Sequence, residues 1–182
     1  MVPTRVASDR VGSSTGSGLW LRSLHSLTGV VPIGVVFVLV LAAHTEALAG
    51  PAAHRAALAR LQIGLAGQVV VLAALAFHAG FGLWLTLRAR YSVGRYPSSA
   101  NWMYTLQRAS GVVALLFIGA HMALFWWPEL GGSVRADDLP ELMVRELSRT
   151  TAGVPLIAIG YLIGIGACAF HLAHGLGSVA LR

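Results

Sequence analysis

The sequence predicts an all-α fold, a transmembrane helical bundle with four spanning helices. Three observations carry that prediction. Of the 182 residues, 56% are hydrophobic and only 11% charged, and the mean hydropathy of +0.72 is far above that of a soluble domain. Four apolar runs are each long enough to cross about 30 Å of hydrocarbon, which takes roughly 20 helical residues. Finally, every basic residue is arginine, and the arginines cluster at the ends of those runs.

Residues 1–18 (MVPTRVASDRVGSSTGSG) are polar and lack the apolar core of a signal peptide. They are expected to form a flexible cytoplasmic arm ahead of a membrane domain over 19–182. The four spans are expected at 19–48, 61–87, 106–127 and 154–181. Gly50-Pro51 and Pro128 punctuate the first and third. The connections then fall at 49–60, 88–105 and 128–153. Within the last of these, ADDLPELMVRELSR (136–149) spaces its apolar residues at helical intervals among charges, as a helix lying along the membrane surface would.

Arginine placement sets the orientation. With the N-terminus inside, Arg5, Arg10, Arg22, Arg88, Arg90, Arg95, Arg108 and Arg182 lie on the inner side. Arg55, Arg60, Arg135, Arg145 and Arg149 lie on the outer side, beside most of the acidic residues. Trp102, Trp126 and Trp127 fall at the expected interfaces. A pI near 10.7 does not point to nucleic acid, since no basic run carries interleaved aromatics. The single cysteine, Cys168, excludes an internal disulfide and is read as an inert buried thiol.

The chain repeats itself. AFHAGFGL (76–83) and AFHLAHGL (169–176) share the form Ala-Phe-His-x-x-x-Gly-Leu, and LHSLTGVV (24–31) is echoed by LQRASGVV (106–113). Two helical hairpins on one plan account for both echoes. Of seven histidines, His44, His78, His121, His171 and His174 lie within the expected spans, where such groups face the bundle interior and serve a site. At about 1.5 Å per residue, His78 and His171 lie roughly 15 Å from the inner helix ends, and His44 and His121 roughly 10 Å from the outer ends. These are two pairs of imidazoles at two depths, each drawn from non-consecutive helices.

Facing imidazoles across a bundle suit b-type haem, which takes one nitrogen on each side of the porphyrin and no covalent tether. No Cys-x-x-Cys-His attachment is possible. Gly80, Gly82, Gly119, Gly175 and Gly177 lie near the histidines and let a flat macrocycle approach the backbone. Arg22, His25, Ser26, Arg108 and Ser110 are placed at the inner ends of the first and third spans to meet propionates. His54 and His174 are read instead as interhelical hydrogen-bond partners. A zincin is excluded, because there is no His-Glu-x-x-His.

RSLHSLTGVVPIG (22–34), AFHAGFGLW (76–84), NWMYTLQRASGVV (101–113), GAHMALFWW (119–127) and AFHLAHGLGS (169–178) together resemble the cytochrome b membrane-anchor subunits of succinate dehydrogenase/fumarate reductase. The nearer branch is the single-anchor dihaem b558 type, and the resemblance spans residues 20–181. It implies that His78 and His171 ligate a proximal haem b and that His121 ligates a distal one. It implies flavoprotein and iron–sulfur subunits as partners, membrane lipid around the chain, and menaquinone or another quinone as electron acceptor. It also implies a bacterial cytoplasmic membrane and a menaquinone site toward the outer side, where Glu46 is a candidate proton acceptor.

Two departures from the family accompany the resemblance. The helix-one ligand falls near position 40, where this chain has Val40, and His44 lies one turn further on the same face. The family commonly has five helices, against four spans here. Other readings are a haem b subunit of a membrane hydrogenase or formate dehydrogenase, told apart by the neighbouring reading frames, and a haem-free helical anchor. In the haem-carrying readings the chain is an electron-transfer subunit with no bond-making site of its own.

Overall fold

The first span is interrupted at Pro32, which has no N–H to give the carbonyl four residues back and whose ring crowds that carbonyl. In the computed structural model, which describes residues 14–180, the chain answers with a wider π-turn over Gly29–Gly34 between α1 (Ser14–Thr28) and α2 (Val35–Thr45). The arm expected over 1–18 lies mostly outside the described residues, as do Arg5, Arg10 and Arg182. Helix α1 already begins at Ser14, ahead of the expected span.

Among the described residues four helical stretches are long and apolar enough to cross a membrane: Gly18–Ala49, Leu65–Leu87, Ser99–Leu130 and Leu156–Ser178. The second is α4 (Leu65–Leu87). The third comprises α5 (Ser99–His121), a π-turn over Met122–Trp126 and α6 (Trp127–Leu130). The fourth is α8 (Leu156–Ala180). Helix α5 starts two turns earlier than the apolar pattern suggests, because Ser98 caps it, its side chain accepting from the Asn101 N–H at 3.3 Å.

Two shorter helices lie in the connections between the first and second spans and between the third and fourth. The connection expected at 49–60 is itself helical, as α3 (Pro51–Arg60). Pro51 starts it, where a missing N–H costs nothing, and Gly50 turns the chain with φ 113°, open to glycine alone without strain. The expected surface helix is α7 (Leu139–Ser148), preceded by one tight turn over Ala136–Asp138. Arg55 of α3 pairs with Glu141 of α7. Both side chains are about half exposed, so this link contributes less than about 1 kcal/mol.

Packing follows the two-hairpin plan. Helix α1 packs on α4, and α5 lies along α8 in the most extensive interface of the molecule. Small residues permit the approach: a Cβ on Gly164 of α8 would run into the Phe117 ring of α5, and one on Gly34 would sit 2.7 Å from Leu172 Cδ1. The interior holds Ala43, Ala57, Ala114, Phe125 and Cys168, while Leu65, Leu116 and Leu162 are 70% exposed or more. Large apolar residues outside and small or polar ones inside are what a lipid solvent selects.

Candidate functional site

His78 of α4 and His171 of α8 face each other, ring centroids 6.1 Å apart and ring planes at 88°. Each is fixed in the same way. His78 Nδ1 donates to the His25 carbonyl at 2.9 Å, and His171 Nδ1 donates to the Gln107 carbonyl at 2.9 Å. A carbonyl can only accept, so each Nδ1 carries the proton and Nε2 is the nitrogen left for a ligand. Two imidazole–metal bonds of about 2 Å in line, plus the half-widths of two rings, come to about 6 Å. The observed separation therefore suits a single metal centre between the rings. Among the described residues no three His, Cys, Asp or Glu side chains converge, and a bis-imidazole centre asks for only two.

The two rings line one cavity of about 350 Å³ between the hairpins. Glycines admit the rings. A Cβ on Gly29 would strike the His78 ring, and one on Gly111 would lie 2.8 Å from His171 Cε1. Gly82 and Gly175 also line the cavity, whereas a Cβ on Gly80, Gly119 or Gly177 would meet nothing within 4 Å. The last three do not line this cavity.

Arg22, His25, Ser26 and Arg108 all border this cavity. His25 Nε2 and Arg108 Nε are buried with no hydrogen-bond partner, and the Arg108 guanidinium lies 3.5 Å from the Tyr104 ring centroid. Buried, unanswered donors are costly, and an anion entering the mouth between them would relieve that cost. Ser110 turns elsewhere: its hydroxyl donates to the Gln107 carbonyl at 3.1 Å and approaches His171 Nδ1 at 3.4 Å.

His44 and His121 are arranged differently from the expected pair. His44 Nδ1 lies 2.9 Å from Nε2 of His54, which is buried on α3 at 7% exposure. His121 Nδ1 bonds the Tyr161 hydroxyl at 2.9 Å, and its ring is flanked by Phe117, Phe125 and Tyr161. Among the described ring contacts none joins His44 to His121. Equal depth along two helices fixes height but not azimuth, and α3 supplies His44 with a nearer partner. His174 stacks on Phe170, and its Nδ1 is buried without a partner.

Over 166 residues the chain is 28% identical to the succinate dehydrogenase cytochrome b558 subunit of Bacillus subtilis (strain 168), an alignment covering 89% of this chain and 78% of that relative. The resemblance read from the sequence is thus found in a named protein: the chain is similar to a succinate dehydrogenase cytochrome b558 subunit. No family model and no solved structure matches it. Among the described residues the chain is helical, without strands, and has four apolar helices able to cross a membrane, in keeping with the fold expected from its sequence.

The sequence reading missed two contributors to the site, the backbone carbonyls of His25 and Gln107. The signal for them was present, since both lie at the same position of the LHSLTGVV and LQRASGVV echo.

Proposed function

We propose that this chain is the haem b-carrying membrane subunit of a succinate:quinone oxidoreductase, passing electrons from an iron–sulfur partner to quinone. The observation that carries the reading is the facing of His78 and His171, each with Nδ1 held by a carbonyl and Nε2 free. Bound there, haem b supplies a one-electron carrier whose potential the axial ligands and their hydrogen bonds tune. The chain's own work is to hold two imidazoles, exclude water and meet the propionates. Arg22, His25, Ser26 and Arg108 serve that last role at the inner mouth of the cavity.

The flavoprotein and iron–sulfur subunits dock on the inner, arginine-rich side. The arginine bias argues for an inner N-terminus in a bacterial cytoplasmic membrane. Quinone, with menaquinone favoured by the family branch, is reduced toward the outer side near His44 and His121, with Glu46, two residues beyond His44 in the chain, to give up or take a proton.

The geometry favours one haem per chain. A distal haem on His44 and His121 would require His44 to leave His54. The deciding experiment is the reduced-minus-oxidised spectrum of membranes carrying His78→Ala. The b-type band should be lost while the chain still inserts, and retention of the full haem complement would refute the assignment.

A further inference from the structure

The two hairpins follow one plan, yet only the first backs its histidine with a row of aromatic rings. His25 stacks on His78, Phe81 leans on His25 with ring centroids 5.6 Å apart, and Trp84 stacks on Phe81 at 5.4 Å with planes 19° apart. The Arg88 guanidinium closes the row, 4.6 Å from the Trp84 ring centroid. The row thus runs from a residue lining the cavity to Trp84, which is 44% exposed near the C-terminal end of α4. In the repeat, His25, Phe81 and Trp84 correspond to Gln107, His174 and Gly177. Gln107 lends its carbonyl to His171 just as His25 does to His78. Among the described ring contacts, however, His174 touches Phe170 alone and His171 touches only His78.

Because the second hairpin holds its imidazole without such rings, seating the histidine does not account for them. Conducting an electron does. Electronic coupling between two redox centres falls exponentially with every gap that the electron must cross through space. A row of stacked rings replaces those gaps by delocalised orbitals in van der Waals contact. We propose that Trp84, Phe81 and His25 form the path by which an electron enters from the iron–sulfur partner, and that this partner sets its cluster against the Trp84–Arg88 end of α4. The inference rests on the function proposed above.

One electron leaves the partner's reduced cluster and arrives at the ferric centre held by His78 and His171. No bond forms or breaks, and the rings themselves are neither oxidised nor reduced, since the electron passes through their orbitals without residing there. Charge favours the same docking point. The connection that follows α4, residues 88–98, carries Arg88, Arg90 and Arg95 and no acidic residue. Such a stretch suits a partner surface rimmed with carboxylates.

The test uses the full-length chain assembled with its flavoprotein and iron–sulfur subunits. A light pulse reduces the iron–sulfur subunit, and the b-type band times the arrival of the electron. Haem content and midpoint potential are measured alongside. Phe81→Leu and Trp84→Leu should each slow arrival several-fold while content and potential stay unchanged. Trp84→Phe, which keeps a ring, should retain most of the original rate. Phe77→Leu removes a ring that also stacks on Phe81 but lies one turn further from the Arg88 end of α4, and should leave arrival unaltered. Phe81 sits a turn deeper than Trp84, so its variant separates the path from docking. Arrival at the original rate in both leucine variants at positions 81 and 84 would overturn the proposal. So would slowing that comes only with lost haem or a shifted potential, since the rings would then belong to the seat. Complete lack of a b-type band in unaltered protein would instead overturn the haem reading beneath it, so the two failures are distinguishable.

Discussion

His25 lies flat on His78, with ring centroids 4.1 Å apart and planes within 4° of parallel. The residue therefore holds the ligand twice, by its backbone carbonyl at Nδ1 and by its side chain against the ring face. The carbonyl survives any substitution, and the stack does not. His25→Ala should retain the haem but bind it more weakly, since an aromatic pair contributes about 0.5–1.5 kcal/mol, up to roughly tenfold in affinity. Titration of haem into the apoprotein measures this. Unchanged affinity would mean that the stack is incidental.

The outer pair makes a separate prediction about stability. His54 is the one buried polar residue among those described, and its Nε2 is shared with His44 at 2.9 Å. His54→Ala leaves His44 Nδ1 without a partner in an apolar setting and should destabilise the protein by about 1–3 kcal/mol. Thermal unfolding in detergent should register that loss. Haem content should stay at one per chain in both proteins, because neither residue borders the inner cavity. A loss of half the haem on His54→Ala would instead place a second haem in the outer half.

Contact between α5 and α8 depends on Gly164, where a Cβ would overlap the Phe117 ring. Gly164→Ala should cost about 1–3 kcal/mol through overpacking. Phe117→Ala in the same chain should restore part of it, a coupling that a double-mutant cycle isolates. Additive losses would show that the two residues do not press on each other.

The four spans were legible because lipid leaves a continuous apolar run in the sequence, and the end of the first follows from Gly50-Pro51; the start of α5 was not, because the polar turn that Ser98 caps lies ahead of the apolar run. The inner histidine pair was legible because AFHxxxGL occurs twice. The partnership of His44 with His54 was not, because PAAHRAALAR has small residues and charges without an apolar stripe to announce a helix, and so gives His54 no face. Counting residues along a span likewise gave His44 and His121 the same depth, while the turn of each helix about its own axis decides which side chains meet. The roles of Gly29 and Gly111 needed tertiary contact, since a glycine in an apolar helix reads equally well as ordinary close packing.

Each imidazole and the carbonyl that grips it belong to the same hairpin: His25 with His78 in one, Gln107 with His171 in the other. The first half can therefore be finished as soon as its second helix enters the bilayer, before the other has been synthesised. On the haem reading the metal would be a bolt between two prefabricated jaws, and cofactor supply, rather than folding of either jaw, would govern when the halves lock.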